Sequence, residues 1–238
     1  MPAACAIVYS VFAEGHSSAT GPTLVRGDLC DEAIWLGSLL HRLVSDDAEV
    51  AGLLAMMLLI DARRAARVDR DGRAVVLAEQ DQSQWDADQI AQGKALLAAA
   101  HAMSDTGPYQ LQAAIAALHA TAPTFADTDW TAIVNIYDVL MRRQPSAILG
   151  LNRAIAIFHR DGVIAGLDAL NKIEERMPFS ADLVTYPYFH SARAEMLAAA
   201  GRTSEAVTAF GRALSSCSNE QGLAGSGQTD QCDALRWR

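Results

Sequence analysis

The chain has 238 residues, of which 51% are hydrophobic, and its formal net charge is −9 at pH 7. This acidic balance argues against a free-standing nucleic-acid-binding protein, because phosphate recognition normally requires a net basic surface. The longest apolar run, residues 50–60, is about half as long as a membrane-spanning helix. We therefore expect no membrane association and a buried helix at this position.

Nearly every segment places apolar residues at helical spacing, and alanine, the strongest helix former, is abundant. The pattern therefore predicts an all-α fold. Ser45 and Asp46 are expected to cap the third helix, and residues 74–77 are the one stretch that favours an extended backbone. The predicted helices are 2–13, 23–44, 47–68, 86–103, 108–121, 129–143, 146–160, 163–176, 182–200 and 203–216.

The last two predicted helices carry a tetratricopeptide-like pattern of small and large apolar residues. Small residues let paired helices approach closely, and units of this kind bury their apolar faces by stacking. A degenerate copy precedes the pattern at Ala154, Gly166 and Leu170. The residues of the main pattern are Ala194, Leu197, Gly201, Ala206, Phe210 and Ala213.

We expect one compact domain over residues 1–216, in which the helices of 1–105 pack against a helical-repeat solenoid of 106–216. Without such cover, the 146–160 helix would expose a row of large apolar side chains, at a cost of roughly 1.5–3 kcal/mol each. Residues 217–238, rich in glycine, glutamine and serine, are predicted to be a disordered tail. The apolar row consists of Ile148, Leu151, Ile155 and Phe158.

The sequence lacks the common signatures of catalysis and of metal or nucleotide binding. HExxH, GxSxG, GxGxxG and Walker patterns are absent, and no two histidines stand four apart. We therefore expect no enzymatic activity, no metal and no cofactor. The cysteines are far apart and form no CxxC pair, which predicts reduced packing thiols and a cytoplasmic location. They are Cys5, Cys30, Cys217 and Cys232.

Residues 61–73, DARRAARVDRDGR, contain five arginines and three aspartates. We predict that several of the arginines occupy the last turns of the third helix, where basic residues complement the negative end of the helix dipole. The net charge of the segment is only +2 (five minus three), and its aspartates would repel a phosphate backbone. We therefore predict solvated or internally paired arginines and no direct contact with DNA.

A second unusual stretch, GPYQLQAAIAALHA at 107–120, has uncharged polar side chains beside its apolar stripe. Two interpretations stay open for these residues and for polar or aromatic residues elsewhere. They form either a pocket for a ligand or partner, or a buried hydrogen-bond network between helices. The candidate residues are Arg63, Arg64, Gln80, Asp81, Trp85, Tyr109, Gln110, Gln112, His119, Trp130, Asn152, Arg153 and His190.

Six motifs occur in the same order as in a known bacterial domain: DLCDEAIWLGSLL, GLLAMMLLIDARRAARVDRDG, LAEQDQSQWD, GPYQLQAAIAALHA, DTDW and LNRAIAI. The chain thereby resembles the C-terminal, tetratricopeptide-like extension of a group of extracytoplasmic-function RNA polymerase sigma factors. The resemblance covers about residues 2–216. The family's FNEGY motif reads FAEGH here, so Ala13 and His16 replace an asparagine and a tyrosine.

The resemblance implies a regulatory extension without the sigma modules that bind polymerase and read promoters. Its expected partners are sigma modules or RNA polymerase, contacted through protein–protein interfaces. Two alternatives stay open: a stand-alone scaffold that recruits another protein through its repeats, and a sensor of a small ligand. An exposed apolar or charged patch on residues 182–216 would favour the scaffold, and a metabolite that stabilises the fold would favour the sensor.

Overall fold

The structure, a computed structural model, describes residues 2–17, 25–103, 106–176 and 186–216. Within these ranges the regular structure consists of α-helices and short 3₁₀ turns, and the β-type pairing is limited to one bridge between Val68 and Ala74. The all-α prediction is confirmed. The helices are α1 (Pro2–His16), α2 (Gly27–Leu43), α3 (Ala48–Asp61), α4 (Ala87–Met103), α5 (Pro108–Thr121), α6 (Trp130–Arg143), α7 (Ala147–Asp161), α8 (Val163–Arg176), α9 (Pro187–Ala199) and α10 (Thr203–Ser215).

Helix α3 ends earlier than the sequence pattern predicts. Its last residue is Asp61, and a 3₁₀ turn at Arg64–Ala66 follows. Beyond this turn the chain folds back on itself around Gly72, whose φ of 80° favours glycine, and the Val75 N–H donates to the Arg67 carbonyl at 2.8 Å. The arginines therefore lie beyond the end of the helix, and their predicted position on its last turns was wrong.

The cap of α3 also differs from the prediction. Asp47, and not Ser45 or Asp46, accepts hydrogen bonds from the backbone N–H groups of Glu49 at 3.0 Å and Val50 at 3.1 Å. Asp47 immediately precedes the first helical residue, and only from that position does a short carboxylate reach these two N–H groups.

Contacts divide the chain into two compact units, Met1–Thr128 and Asp129–Arg238. In the first unit α3 is the central helix, because it packs against α1, α2, α4 and α5 and is buried along almost its whole length. This confirms the predicted buried helix at 50–60. Helix α5 packs against α3 and α4, so the first unit continues past the predicted subdivision at residue 105. That the two units make one domain stays a prediction.

In the second unit the helices pack in chain order: α6 on α7, α7 on α8, α8 on α9, and α9 on α10. The links between α7 and α8 and between α9 and α10 turn at Gly162 and Gly201, whose φ values of 90° and 74° favour glycine. Ala194 of α9 and Ala206 of α10 are buried together, as the repeat pattern predicts. This packing is compatible with a short solenoid.

The apolar row on α7 is packed by helices of its own unit. Leu151 is 1% exposed, and Ile155 and Phe158 lie against a cluster that includes Leu170 of α8. Ile148 remains 49% exposed. Because α8 and α9 already pack against most of this row, its burial does not require the N-terminal helices that we expected to cover it.

Cys5 and Cys30 are free and buried, as predicted for packing thiols. Burial raises the pKa of Cys30 to about 11, so this thiol stays protonated and unreactive at neutral pH. Cys217, Cys232 and the predicted disordered tail at 217–238 lie outside the described residues. Among the ten helices given above, none combines the length and the apolar character that crossing a membrane requires.

Candidate functional site

Arg64 is held between two aspartates. Its Nε donates to Asp61 Oδ1 at 2.8 Å, and its Nη2 donates to Asp61 Oδ2 at 2.8 Å and to Asp31 Oδ1 at 2.7 Å. Asp61 is buried and also accepts a hydrogen bond from Gln89 Nε2 at 3.0 Å. Although burial alone would lower it, the hydrogen bonds to the two aspartates raise the pKa of Arg64. This cluster ties α2, α3 and α4 together.

Arg67 is buried at the end of α1 and only 4% exposed. Its Nη1 donates to the carbonyl oxygen of His16 and lies 2.7 Å from His16 Nδ1. The imidazole of His16 in turn stacks on Phe12, with ring centroids 5.6 Å apart. Arg67 therefore anchors the end of α1 to the segment that follows α3.

Arg63, Gln80 and Trp85 lie in one polar corner of the first unit, which we call the Arg63 corner. Arg63 Nη1 donates to Gln80 Oε1 at 3.4 Å. The backbone N–H of Asp86 donates to the Ala62 carbonyl at 2.9 Å, which brings the Trp85 segment alongside Arg63. Burial lowers the pKa of Arg63 to about 10. The indole Nε1 of Trp85 is buried and has no hydrogen-bond partner among the described residues.

The remaining two arginines of the segment are exposed. Arg70 lies on the surface, and Arg73 Nη1 is 3.8 Å from Asp71 Oδ2. The five guanidinium groups are thus distributed between the surface and the interior and do not fan together across one open face. Internal pairing is confirmed for Arg64, whereas the absence of DNA contact stays a prediction.

The polar residues at the start of α5 bind a carboxylate from α3. Glu49 Oε2 accepts from the Tyr109 N–H at 2.9 Å, and Glu49 Oε1 accepts from the Gln110 N–H at 3.2 Å and from Gln110 Nε2 at 3.3 Å. At Gly107 and Gly52 a Cβ would collide with Glu49 and with Gln110, respectively. Gln110 is 1% exposed. Tyr109 and Gln110 therefore belong to a partly buried network between α3 and α5.

The other predicted residues of the first unit have local roles. Gln112 Nε2 donates to the Pro108 carbonyl one turn earlier at 3.4 Å, and His119 is half-buried on the same helix. Asp81 is exposed and caps the 3₁₀ turn at Gln82–Gln84, accepting from the Ser83 N–H at 2.9 Å. The described hydrogen bonds of Gln112 and Asp81 therefore stay within one helix and one turn, respectively.

Four predicted residues lie in the second unit. Trp130, the first residue of α6, stacks on His159 with ring centroids 4.3 Å apart. Burial lowers the pKa of His159 to about 4, so its ring is neutral at pH 7. His190 of α9 is 6% exposed, and Asn152 of α7 is half-buried.

Arg153, the fourth of these residues, lines a groove between α6, α7 and α8. Its Nε donates to Asp138 Oδ1 at 2.6 Å. On the α8 side, Lys172 Nζ donates to Asp168 Oδ2 at 2.5 Å. The floor is apolar and the groove has a volume of about 380 Å³. The lining residues, collectively the α6–α8 groove, are Met141, Gly150, Arg153, Ile157, Ala165, Asp168, Ala169, Lys172 and Ile173.

The structure therefore does not bring the predicted set together. Some of its residues belong to an interhelical network, to the Arg63 corner or to the α6–α8 groove, and the others lie outside these three sites. The predicted set omits Glu49, Asp61 and Lys172, which pair with Gln110, Arg64 and Asp168, respectively. A single glutamate in the first turn of a helix carries no signal of a partner sixty positions away. The described residues contain no group of three or more histidine, cysteine, aspartate or glutamate side chains that could hold a metal ion.

Comparison with known proteins gives two matches. Residues 1–101 match the model of a family of unknown function, DUF6596. An uncharacterized protein of Rhizobium meliloti (strain 1021) is 42% identical over 219 residues, which cover 92% of this chain and 50% of that protein. The chain thus spans about half the length of this curated relative. No solved structure matches the chain.

Proposed function

We propose that this chain is a regulatory domain of a sigma-factor-like transcription regulator and acts through contacts with sigma modules or RNA polymerase. The observation that carries the proposal is the order of the six sequence motifs over about residues 2–216. The match to half of a longer relative supports it, because a regulatory domain of this kind would be one part of a longer polypeptide. On this proposal the domain works in the cytoplasm and has no catalytic activity of its own.

The charge distribution favours a protein partner over nucleic acid. Phosphate binding depends on clustered, accessible cations, but Arg64 is engaged by Asp31 and Asp61, and Arg67 is buried against His16. The overall net charge of −9 adds a long-range repulsion towards DNA. Promoter reading would therefore belong to sigma modules, and this domain would bias their activity.

The α6–α8 groove is the surface that we assign to the partner. Its floor, which includes Ile157 and Ala169, is apolar, and the Lys172–Asp168 pair lies exposed at its edge. An apolar centre with a polar, solvated rim is the usual anatomy of a protein interface. On the described part of α9 and α10 Val207 stands alone as an exposed large apolar residue, so no apolar patch there favours the scaffold alternative.

The test is a binding titration of the purified 238-residue chain against the two sigma modules of a family member and, separately, against RNA polymerase core enzyme. We expect Lys172→Glu to weaken binding about tenfold, since it reverses a charge at the groove edge and places like charges side by side. The variant should fold normally, because an exposed ion pair contributes at most about 1 kcal/mol.

Glu175→Lys is the matched control, since Glu175 is an exposed residue of the same helix and is not among the groove residues. It reverses a charge of the opposite sign and should leave the affinity within about twofold. No binding of the unmodified chain to either partner at high concentration would refute the proposed function. If the two variants weakened binding equally, the groove would not be the surface that binds the partner.

A further inference from the structure

Arg63 is partly buried, and it lacks the carboxylate partners that its neighbour Arg64 has. Arg64 is flanked by two carboxylates, whereas the single hydrogen bond of the Arg63 guanidinium among the described residues is a long one, 3.4 Å, to the neutral amide oxygen of Gln80. A buried cation is normally paired with an anion, because desolvation of the charge is costly. In the described part of the chain this position lacks its counter-charge.

Gln80 is fixed in the orientation that faces Arg63. Its Nε2 donates to the Val75 carbonyl at 3.1 Å, so its Oε1, the acceptor atom of the amide, faces the guanidinium. An amide oxygen satisfies one donor of a group that carries five. The remaining guanidinium donors are therefore available for an acceptor with several oxygen atoms.

Trp85 supplies a second unsatisfied donor in the same corner. Its indole Nε1 is buried and without a described partner, although a buried donor normally has one. The Asp86 N–H donates to the Ala62 carbonyl. This hydrogen bond brings the backbone of Trp85, which precedes Asp86, alongside that of Arg63, which follows Ala62. Two donor groups, one of them cationic, thus belong to neighbouring backbone segments, and no described hydrogen bond or ion pair joins either of them to a carboxylate.

We propose that the Arg63 corner is a binding site for a small oxyanion, a phosphate or carboxylate group of a metabolite, held by the guanidinium of Arg63 and the indole N–H of Trp85. Both groups only donate hydrogen bonds, and a planar guanidinium matches the paired oxygen atoms of these anions. The anion would supply the missing counter-charge. The site is independent of the α6–α8 groove, so the proposed function can fail while this inference stands.

The experiment is isothermal titration calorimetry of the 238-residue chain with inorganic phosphate and, separately, with succinate, at constant ionic strength set with chloride. We expect one saturable site with a Kd of about 1 mM or tighter for at least one of the two anions. Arg63→Gln should weaken it at least about tenfold, and Trp85→Phe about three- to tenfold, because each removes donors to the anion. Binding of phosphate alone or of succinate alone identifies the class of metabolite.

Arg73→Gln is the matched control. Arg73 belongs to the same segment and carries the same charge, but its side chain is 54% exposed and lies near Asp71, so its removal should leave the Kd within about twofold. Circular dichroism and thermal melting establish that each variant is folded. If Arg63→Gln does not fold, Trp85→Phe, which keeps an aromatic ring in place, decides the question alone. Absence of saturable binding, or equal weakening by Arg73→Gln, would overturn the assignment.

Discussion

Replacement of Glu49 by alanine tests the network that joins α3 to α5. The Glu49 carboxylate accepts three hydrogen bonds, two of them from backbone N–H groups of the first turn of α5 at 2.9 Å and 3.2 Å. Pro108 occupies the first position of α5, so these N–H groups are the first donors that the helix presents. The carboxylate therefore acts as a cap supplied by another helix.

The expected cost of Glu49→Ala is about 2–3 kcal/mol in the free energy of unfolding. Hydrogen bonds to a charged group each contribute about 1.5–3 kcal/mol, but three bonds to one carboxylate are not additive, and the two longer bonds, at 3.2 Å and 3.3 Å, are weak. Loss of an interaction with the helix dipole adds about 0.3–1 kcal/mol. Glu49→Gln keeps one acceptor oxygen and should lose about half as much.

Two measurements check this prediction. Urea unfolding gives the change in stability, and hydrogen exchange read by mass spectrometry should show faster exchange at Tyr109 and Gln110 and no change in α10. Glu205→Ala is the control, because Glu205 also lies in a first helical turn but pairs with Arg202 at an exposed position, where the loss is about 1 kcal/mol or less. If Glu49→Ala cost no more than Glu205→Ala and α5 kept its protection, Glu49 would not act as the cap of α5.

Two further predictions concern the second unit. A Cβ at Gly166 would lie 2.6 Å from Phe158 Cβ, whereas one at Gly211 would meet nothing within 4 Å; Gly166→Ala should therefore destabilise by about 1–3 kcal/mol and Gly211→Ala stabilise by about 0.5–1 kcal/mol. Thermal melts that rank the two variants the other way would contradict the helix packing. Burial lowers the pKa of His159 from 6.5 to about 4, so between these pH values the unfolded chain binds more protons, and stability falls as the pH drops through this window. His159→Phe should remove this loss of stability, which is at most about 3 kcal/mol and is smaller because the ring is partly exposed. If the unmodified chain and the variant gave identical pH profiles in urea unfolding, His159 would not titrate in this way.

The helices were predictable because their signal is local. Apolar spacing and alanine content describe contacts within a few residues, and they were sufficient for the all-α fold and for the buried helix α3. The end of α3 was missed for a nonlocal reason. Arg67 is buried against His16, 51 residues earlier in the chain, and this contact stabilises the fold-back that ends the helix.

The candidate site could be predicted only as a set of residue types. Arg63 and Arg64 are adjacent and chemically identical, yet one faces a neutral amide and the other two carboxylates. Asp61, three residues before Arg64, is a local partner, but Asp31 on α2 and Gln80 in a later loop come from elsewhere in the chain. The sequence by itself determined the helical class and the balance of charge; only the tertiary structure decided which charges are neutralised, since the energy of a buried charge depends on partners that folding brings from elsewhere in the chain.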